Sequence, residues 1–225
     1  MPYFGTSPSV SAAAAETLAA TATVGDGTAE DTNIIFDGNA LDFRIGIDDG
    51  DDTLEIGKGS AHGTTAHMIF DTNGIIRMPL QPAFHVYNSS TDANVTGDGT
   101  AFTVDFNTER FDLNGDFASD TFTAPVTGKY LLQACVGLQQ TEDATNTRYR
   151  ILFNTSNTPV IIHEQRVMRQ NDGGQNIVLL TGSVVADMDA SDTCSIQAAV
   201  YGGSAVVDCW GNSQPETYFS GCLLA

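Results

Sequence analysis

The sequence predicts an all-β protein whose C-terminal part is a two-sheet jelly roll or related sandwich, and three observations predict it. Gly, Thr, Asn, Asp and Ser recur in short clusters between apolar runs, the composition of many strands joined by tight turns. The longer runs alternate with the period of a strand, as in Tyr149-Arg150-Ile151-Leu152-Phe153 and in Thr193-Cys194-Ser195-Ile196-Gln197-Ala198-Ala199-Val200. No window of about 12 residues in the C-terminal half carries the helical period. A chain of 225 residues buries roughly 70% of its unfolded surface and needs no disulfides to fold.

Three segments are expected. Residues 1–32 are small and of low complexity. Ser11 can cap a short helix through Ala12–Ala20, because Ala leads the helix propensities. With little apolar bulk of its own, this segment reads either as an attachment arm ordered by a partner surface or as a disordered tail. Residues 33–80 hold very short strands separated by Asp-Gly and Asn-Gly turns. Ile34-Ile35-Phe36-Asp37-Gly38-Asn39 is echoed by Met68-Ile69-Phe70-Asp71-Thr72-Asn73-Gly74. Strands this short are marginal alone, so this region is read as a β-rich shaft or collar in which several chains intertwine about a shared axis. Residues 81–225 form the head. Strands are expected near 83–88, 101–106, 117–123, 129–138, 147–154, 159–168, 176–188, 193–201, 205–210 and 216–224, a spacing that indicates the jelly roll.

Charge excludes one large class of partner. Acidic residues number 28 against 9 basic, for a net charge of −19, and the seven arginines and two lysines are scattered. Nucleic-acid binding depends on clustered cations that displace counterions, so no nucleic-acid partner is expected. No apolar run is long enough to span a bilayer, so no membrane insertion is expected. The opening Met1-Pro2-Tyr3-Phe4-Gly5 has neither the basic start nor the apolar run of a secretory signal. Cys135, Cys194, Cys209 and Cys222 form an even set that invites pairing. Three of them lie in apolar strand-like runs, so buried reduced thiols are the alternative. None has the CxxC spacing of a zinc site.

Two runs carry a resemblance. Phe122-Thr123-Ala124-Pro125-Val126-Thr127-Gly128-Lys129-Tyr130 and the terminal Phe219-Ser220-Gly221-Cys222-Leu223-Leu224 resemble the two signature elements of the complement C1q and tumour-necrosis-factor-like heads. The resemblance covers about the last 140 residues and implies a C1q-like jelly roll that assembles as a homotrimer. It implies structural roles for Phe122, Ala124, Pro125, Gly128, Tyr130, Phe219 and Gly221. Pro125 and Gly128 would turn the chain into the strand containing Tyr130, and Gly221 would admit a neighbouring backbone. The chain departs from the family by lacking a Gly-X-Y stem and by carrying Ser191-Asp192 where the family has Gly-Asp. A second resemblance is to tail-fibre proteins of marine bacteriophages. It rests on Met1-Pro2-Tyr3-Phe4-Gly5-Thr6-Ser7-Pro8-Ser9, on Asp51-Asp52-Thr53-Leu54-Glu55-Ile56-Gly57 and on Thr108-Glu109-Arg110-Phe111-Asp112.

No catalytic constellation is found, and no enzymatic activity is expected. His163-Glu164 lacks the second histidine of a metalloprotease helix, and neither a phosphate loop nor a Gly-x-Ser-x-Gly elbow occurs. No cofactor is expected. Asp48, Asp49, Asp51 and Asp52 around Gly50 are weak candidates for a divalent cation such as Ca²⁺, but the turn lacks the terminal Glu of an EF-hand loop, and a solvated turn is the alternative. His62 and His67 flank a turn and could meet their counterparts on a trimer axis. Three copies of this chain would carry −57, three times −19, a repulsion that salt or divalent ions would screen. Chelating divalent ions at low ionic strength is therefore expected to lower the melting temperature, and an unchanged melting curve refutes this.

The function expected is that of a bacteriophage virion protein assembled in the host cytoplasm, a trimeric tail fibre or tail tip with a receptor-binding head. Its partners would be its own copies, other virion proteins through the N-terminal arm, and a host receptor or glycan. Receptor contacts are expected from loops near Asn88–Asp98, Thr141–Asn146 and Gln170–Gln175. Two alternatives stay open: a capsid decoration protein or head fibre that stabilises the shell, and, more remotely, a bacterial surface adhesin.

Overall fold

The structure, a computed structural model, describes residues 23–63, 65–141, 148–157 and 177–225, together with the backbone of 161–165. Every regular element among them is a β-strand, and none is a helix long and apolar enough to cross a membrane. The helix expected within Ser11–Ala20 lies outside the described residues. The chain divides into two compact units between Met78 and Pro79.

The first unit is an antiparallel meander in which each strand pairs with its sequence neighbours. Its strands are β1 (Thr32–Phe36), β2 (Phe43–Asp48), β3 (Thr53–Lys58), β4 (Ala66–Phe70) and β5 (Ile76–Arg77). Turn chemistry sets the hairpins. The Asp71 carboxylate accepts hydrogen bonds from the amides of Asn73 and Ile75, both at 2.9 Å, and Gly74 takes the left-handed conformation at φ +80°. The register then sorts side chains onto two faces. One face carries the rows Ile34, Ile45, Ile56, Met68 and Ile47, Leu54, Phe70, Ile76, with Phe36 and Phe43 beside them. The other carries Arg44, Asp48, Thr53 and Glu55, and it is this polar face that is buried. Ala66 is the one buried hydrophobic residue among the described residues of the unit.

The polar face is closed by the loop that follows β3. Arg44 donates from Nη1 to the carbonyl of Lys58 at 2.6 Å and from Nη2 to Glu55 at 2.8 Å, and the Gly63 amide reaches the same carboxylate oxygen at 3.3 Å. Gly57 permits the closure, since a Cβ there would stand 2.7 Å from the Thr65 carbonyl oxygen and 2.9 Å from the Arg44 guanidinium.

The second unit is the jelly roll. Its strands are β6 (Ala83–Tyr87), β7 (Asp92–Thr96), β8 (Phe102–Thr103), β9 (Thr108–Asp112), β10 (Phe117–Ala118), β11 (Thr121–Thr123), β12 (Gly128–Gln139), β13 (Arg148–Thr155), β14 (Ile161–Gln165), β15 (Val178–Met188), β16 (Thr193–Tyr201), β17 (Val207–Cys209) and β18 (Tyr218–Leu223). One sheet runs β7-β17-β12-β18-β6-β9, with β15 on the free edge of β12. The other runs β10-β11-β16-β13-β14, with β8 also on β16. The core between them is aromatic at one end. Phe84 stacks on Phe122 at 4.7 Å and on Phe117 at 5.5 Å, and Phe219 meets Phe84 edge-on at 4.9 Å.

The signature residues explain themselves in this frame. Phe122, Ala124, Tyr130 and Phe219 are fully buried. Exposed Pro125 opens the turn into β12, and the Tyr130 hydroxyl donates to the Val126 carbonyl at 2.7 Å, fastening that turn to the strand it feeds. A Cβ at Gly128 would stand 2.6 Å from the Leu223 side chain and 2.7 Å from the Ala225 carbonyl oxygen. At Gly221 the expected neighbouring backbone is not what fills the space. The Phe84 ring and Leu132 side chain would both lie 2.7 Å from its Cβ, so the glycine makes room for the core.

Several strand expectations need correction. Residues 117–123 are two strands, because Ser119 and Asp120 have φ of +49° and +61° and turn the chain in a two-residue hairpin. In 101–106 only Phe102–Thr103 joins a ladder, although Val104 and Phe106 are buried. Strands β7 and β9 fell where none was expected. Both end the order of their sheet, and an edge strand pairs on one side and needs no apolar run. The departure at Ser191 also has a consequence. Ser191 has φ +77°, a left-handed conformation that glycine adopts freely. Ser191→Gly is expected to stabilise the head by about 1 kcal/mol, raising its melting temperature by roughly 2–4 °C. An unchanged or lower midpoint in a thermal melt would count against strain there.

Candidate functional site

Two surfaces of the jelly roll stand out, one a sheet face that carries exposed apolar side chains, the other polar and loop-built. The first is the outward face of the seven-stranded sheet, where Gln133, Ser183 and Ser220 form a polar row between the apolar residues. Because Phe84, Val86, Tyr130, Leu132 and Phe219 point into the core, alternation aims His85, Leu131, Tyr218 and Cys222 outward. Register adds Phe111 beside His85 and Val185 beside Leu131. Val185 is 60% exposed and Phe111 48%. The His85 ring lies between Phe111 and Tyr218, at 6.2 and 5.4 Å, and its Nε2 is buried without a hydrogen-bond partner. Burial pushes its pKa below the ordinary histidine value, and the Arg110 charge pushes the same way.

The second surface is one end of the sandwich, where the loop after β6 meets the loop between β17 and β18. Asn88 is fully buried and organises the first loop. Its side-chain amide donates to Asp92 at 2.7 Å, and its carbonyl oxygen accepts the Ser90 amide at 2.9 Å. Asn107 secures the rim by accepting from both the amide and hydroxyl of Ser89 and donating to the Ser90 hydroxyl. The Thr91 hydroxyl donates to the Gly211 carbonyl at 3.1 Å, tying the two loops together. In the second loop Trp210 and Asn212 both donate to Glu216, at 2.6 and 2.9 Å. A rim of amides, hydroxyls and carboxylates beside an indole, held by its own hydrogen bonds, can bind polar ligands with little ordering cost.

Three carboxylates share this end. Burial raises the pKa of Asp92 and of Asp105, and the neighbouring Asp120 charge raises each further. A carboxyl with a raised folded pKa favours the fold below its unfolded value of 3.8 and opposes it as pH rises through the folded value. Asp105→Asn is therefore expected to stabilise the head at pH 7 by about 1 kcal/mol. The gain should vanish below the ordinary aspartate range, as a pH series of melts would show. A destabilised variant at pH 7 would contradict this.

The remaining candidates are distributed as follows. Asp48, Asp49, Asp51 and Asp52 form the β2–β3 turn, where Asp48 accepts the Gly50 amide at 3.0 Å and Asp49 donates its amide to Asp31. Among the described residues no three His, Cys, Asp or Glu side chains are placed to hold one ion. His62 and His67 have different surroundings within the chain. His62 turns to the Arg44–Glu55 pair, 3.1 Å from Glu55, whereas His67 packs its ring edge on Phe43. All four cysteines are free thiols. Burial pushes Cys135 up to about 11, and Cys194 and Cys209 to about 12, leaving them protonated and unreactive at neutral pH.

Of the expected receptor loops, Asn88–Asp98 is a loop only up to β7, which begins at Asp92 and is an edge strand. Residues 142–146 and 170–175 lie outside the described residues. The Trp210–Thr217 loop and the Asp105–Asn107 rim were missed. The available signal was the single tryptophan beside Gly211-Asn212-Ser213-Gln214-Pro215.

No family model matches this chain, and no curated protein matches it. Among solved structures it is similar to the globular domain of zebrafish complement 1qA protein, at 17% identity over 64% of this chain and 98% of that one, with a TM-score of 0.43. It is also similar to Eiger TNF from S. frugiperda, at 12% identity over 64% of this chain and 94% of that one, with a TM-score of 0.45.

Proposed function

We propose that this chain is a homotrimeric structural and binding protein of a bacteriophage particle, a tail fibre or tail tip whose head contacts the host. The observation that carries the binding role is the locked polar end of the jelly roll, where Asn88, Asn107, Trp210 and Glu216 hold two loops in one arrangement. Its hydroxyl, amide and carboxylate groups suit a glycan or a polar protein receptor. Trimerisation is supported by Phe111 and Val185, exposed apolar side chains on the outward face of the seven-stranded sheet that a monomer would leave in water. The phage setting rests on the likeness of Met1–Ser9, Asp51–Gly57 and Thr108–Asp112 to fibre segments.

The second reading is a capsid decoration protein. A compact trimeric head suits a three-fold position on a shell as well as it suits a fibre tip. Immunogold electron microscopy of particles with an antibody against the head separates the two. Gold at the tail supports host recognition, gold over the capsid makes this a decoration protein, and unlabelled particles overturn both.

A further inference from the structure

The meander has its faces the wrong way round for a free-standing sheet. The charged side is sealed by its own loop, and the apolar side is open. Phe36 is 61% exposed and Ile76 56%, and Ile34, Phe43 and Ile47 are exposed as well. Thr32, Lys58 and His67, whose ring edge rests on Phe43, are the polar members of that face, and no carboxylate lies on it. The acids Asp37, Asp42, Asp49, Asp51, Asp52 and Asp71 lie off the ladders, in the turns.

We infer that the occupant of this face is the same face of other copies of the chain, three meanders packing sheet on sheet about one axis. Strand spacing and rise give a patch of about 400 Å² per copy. An exposed apolar patch of this size lies in the range where such patches on a single chain are often functional. A chain of net charge −19 can meet itself here because the face is free of carboxylates and its acidic turns fall at the ends of the sheet. A foreign basic partner would find no carboxylate on the face to pair with. The copies therefore meet through faces, each strand keeping its partners within its own chain. The threefold number rests on the trimer proposed above, whereas the pairing of like faces stands on the sheet alone.

Benzoylphenylalanine placed at Ile45, in the centre of the face, tests this in the full chain, with a second probe at Arg77 on the opposite face as control. Isotopically labelled and unlabelled copies are mixed by refolding before irradiation. Links between copies into residues 32–76 from Ile45 and not from Arg77, with a light-scattering mass of three chains, are expected. Links into residues 1–22 or 79–225, or none from a trimer, overturn the inference and leave the trimer standing. A dimer with like-face links keeps the inference and overturns the threefold reading. A monomer overturns both. Ile45→Asp provides a second readout, and assembly at least tenfold weaker is expected in dilution series. Unchanged assembly and unchanged unfolding of the meander in that variant would also overturn the inference.

Discussion

Phe219→Ala is expected to destabilise the jelly roll by about 3–5 kcal/mol, the range for removing a ring from a close-packed core. Phe219 is fully buried on β18 and joins both sheets. It meets Phe84 of the seven-stranded sheet at 4.9 Å, Phe117 and Phe153 of the other at 6.1 and 6.4 Å, and Phe106 at 5.9 Å. Four rings lose a partner at once, and the sheets cannot collapse onto the void because their separation is held by the other side chains between them. In a domain of this size the midpoint should fall by roughly 10 °C. Urea unfolding followed through Trp210 measures it, with Phe219→Leu expected to recover most of the loss. A cost below about 1 kcal/mol for Phe219→Ala would show that the ring cluster does not hold the sheets together.

The second large effect is expected in the meander. Glu55→Ala leaves the fully buried Arg44 guanidinium without its carboxylate, a change that costs about 3–5 kcal/mol where one partner of a buried pair is removed. The remaining acceptors, the Lys58 carbonyl and the Thr65 hydroxyl, supply no formal negative charge. Replacing both partners, as Arg44→Met with Glu55→Leu, is expected to restore most of the stability because no buried charge is left. Acid should act like the single variant. Burial alone would raise the Glu55 pKa, but hydrogen bonds from Arg44, His62 and the Gly63 amide overbalance it and hold the group below its ordinary 4.5. A depressed folded pKa contributes stability that is present above 4.5 and is lost as pH falls through the folded value. Amide protection across residues 32–77, read by pulsed hydrogen exchange at a series of pH values, should drop on acidification in the wild type. In the double variant it should hold. Equal loss in both would place the acid sensitivity elsewhere.

The all-β class and the jelly roll were legible because the runs of β12, β13, β15 and β16 are long and alternate over most of their length, β12 and β16 burying both faces only in their C-terminal parts. The signature runs around Phe122 and Phe219 were legible for a related reason: Gly128 and Gly221 are required by close approach, and any larger residue would collide with Leu223, Phe84 or Leu132. Edge strands β7 and β9 were not legible, since a strand paired on one side keeps polar residues at no cost. Nor was the candidate binding end, because Asn88, Asn107 and Trp210 are more than 100 positions apart at the extremes and only the fold brings their loops together. The meander divides the same way. Its turns were written locally in Asp-Gly and Asn-Gly pairs, whereas the burial of its charges was a tertiary decision. Arg44, Glu55 and His62 come from three places in the sequence, and strand register put the first two on one face before a seven-residue loop, 59–65, closed over them. Side-chain alternation determined which residues share a face, and packing alone determined which face met water.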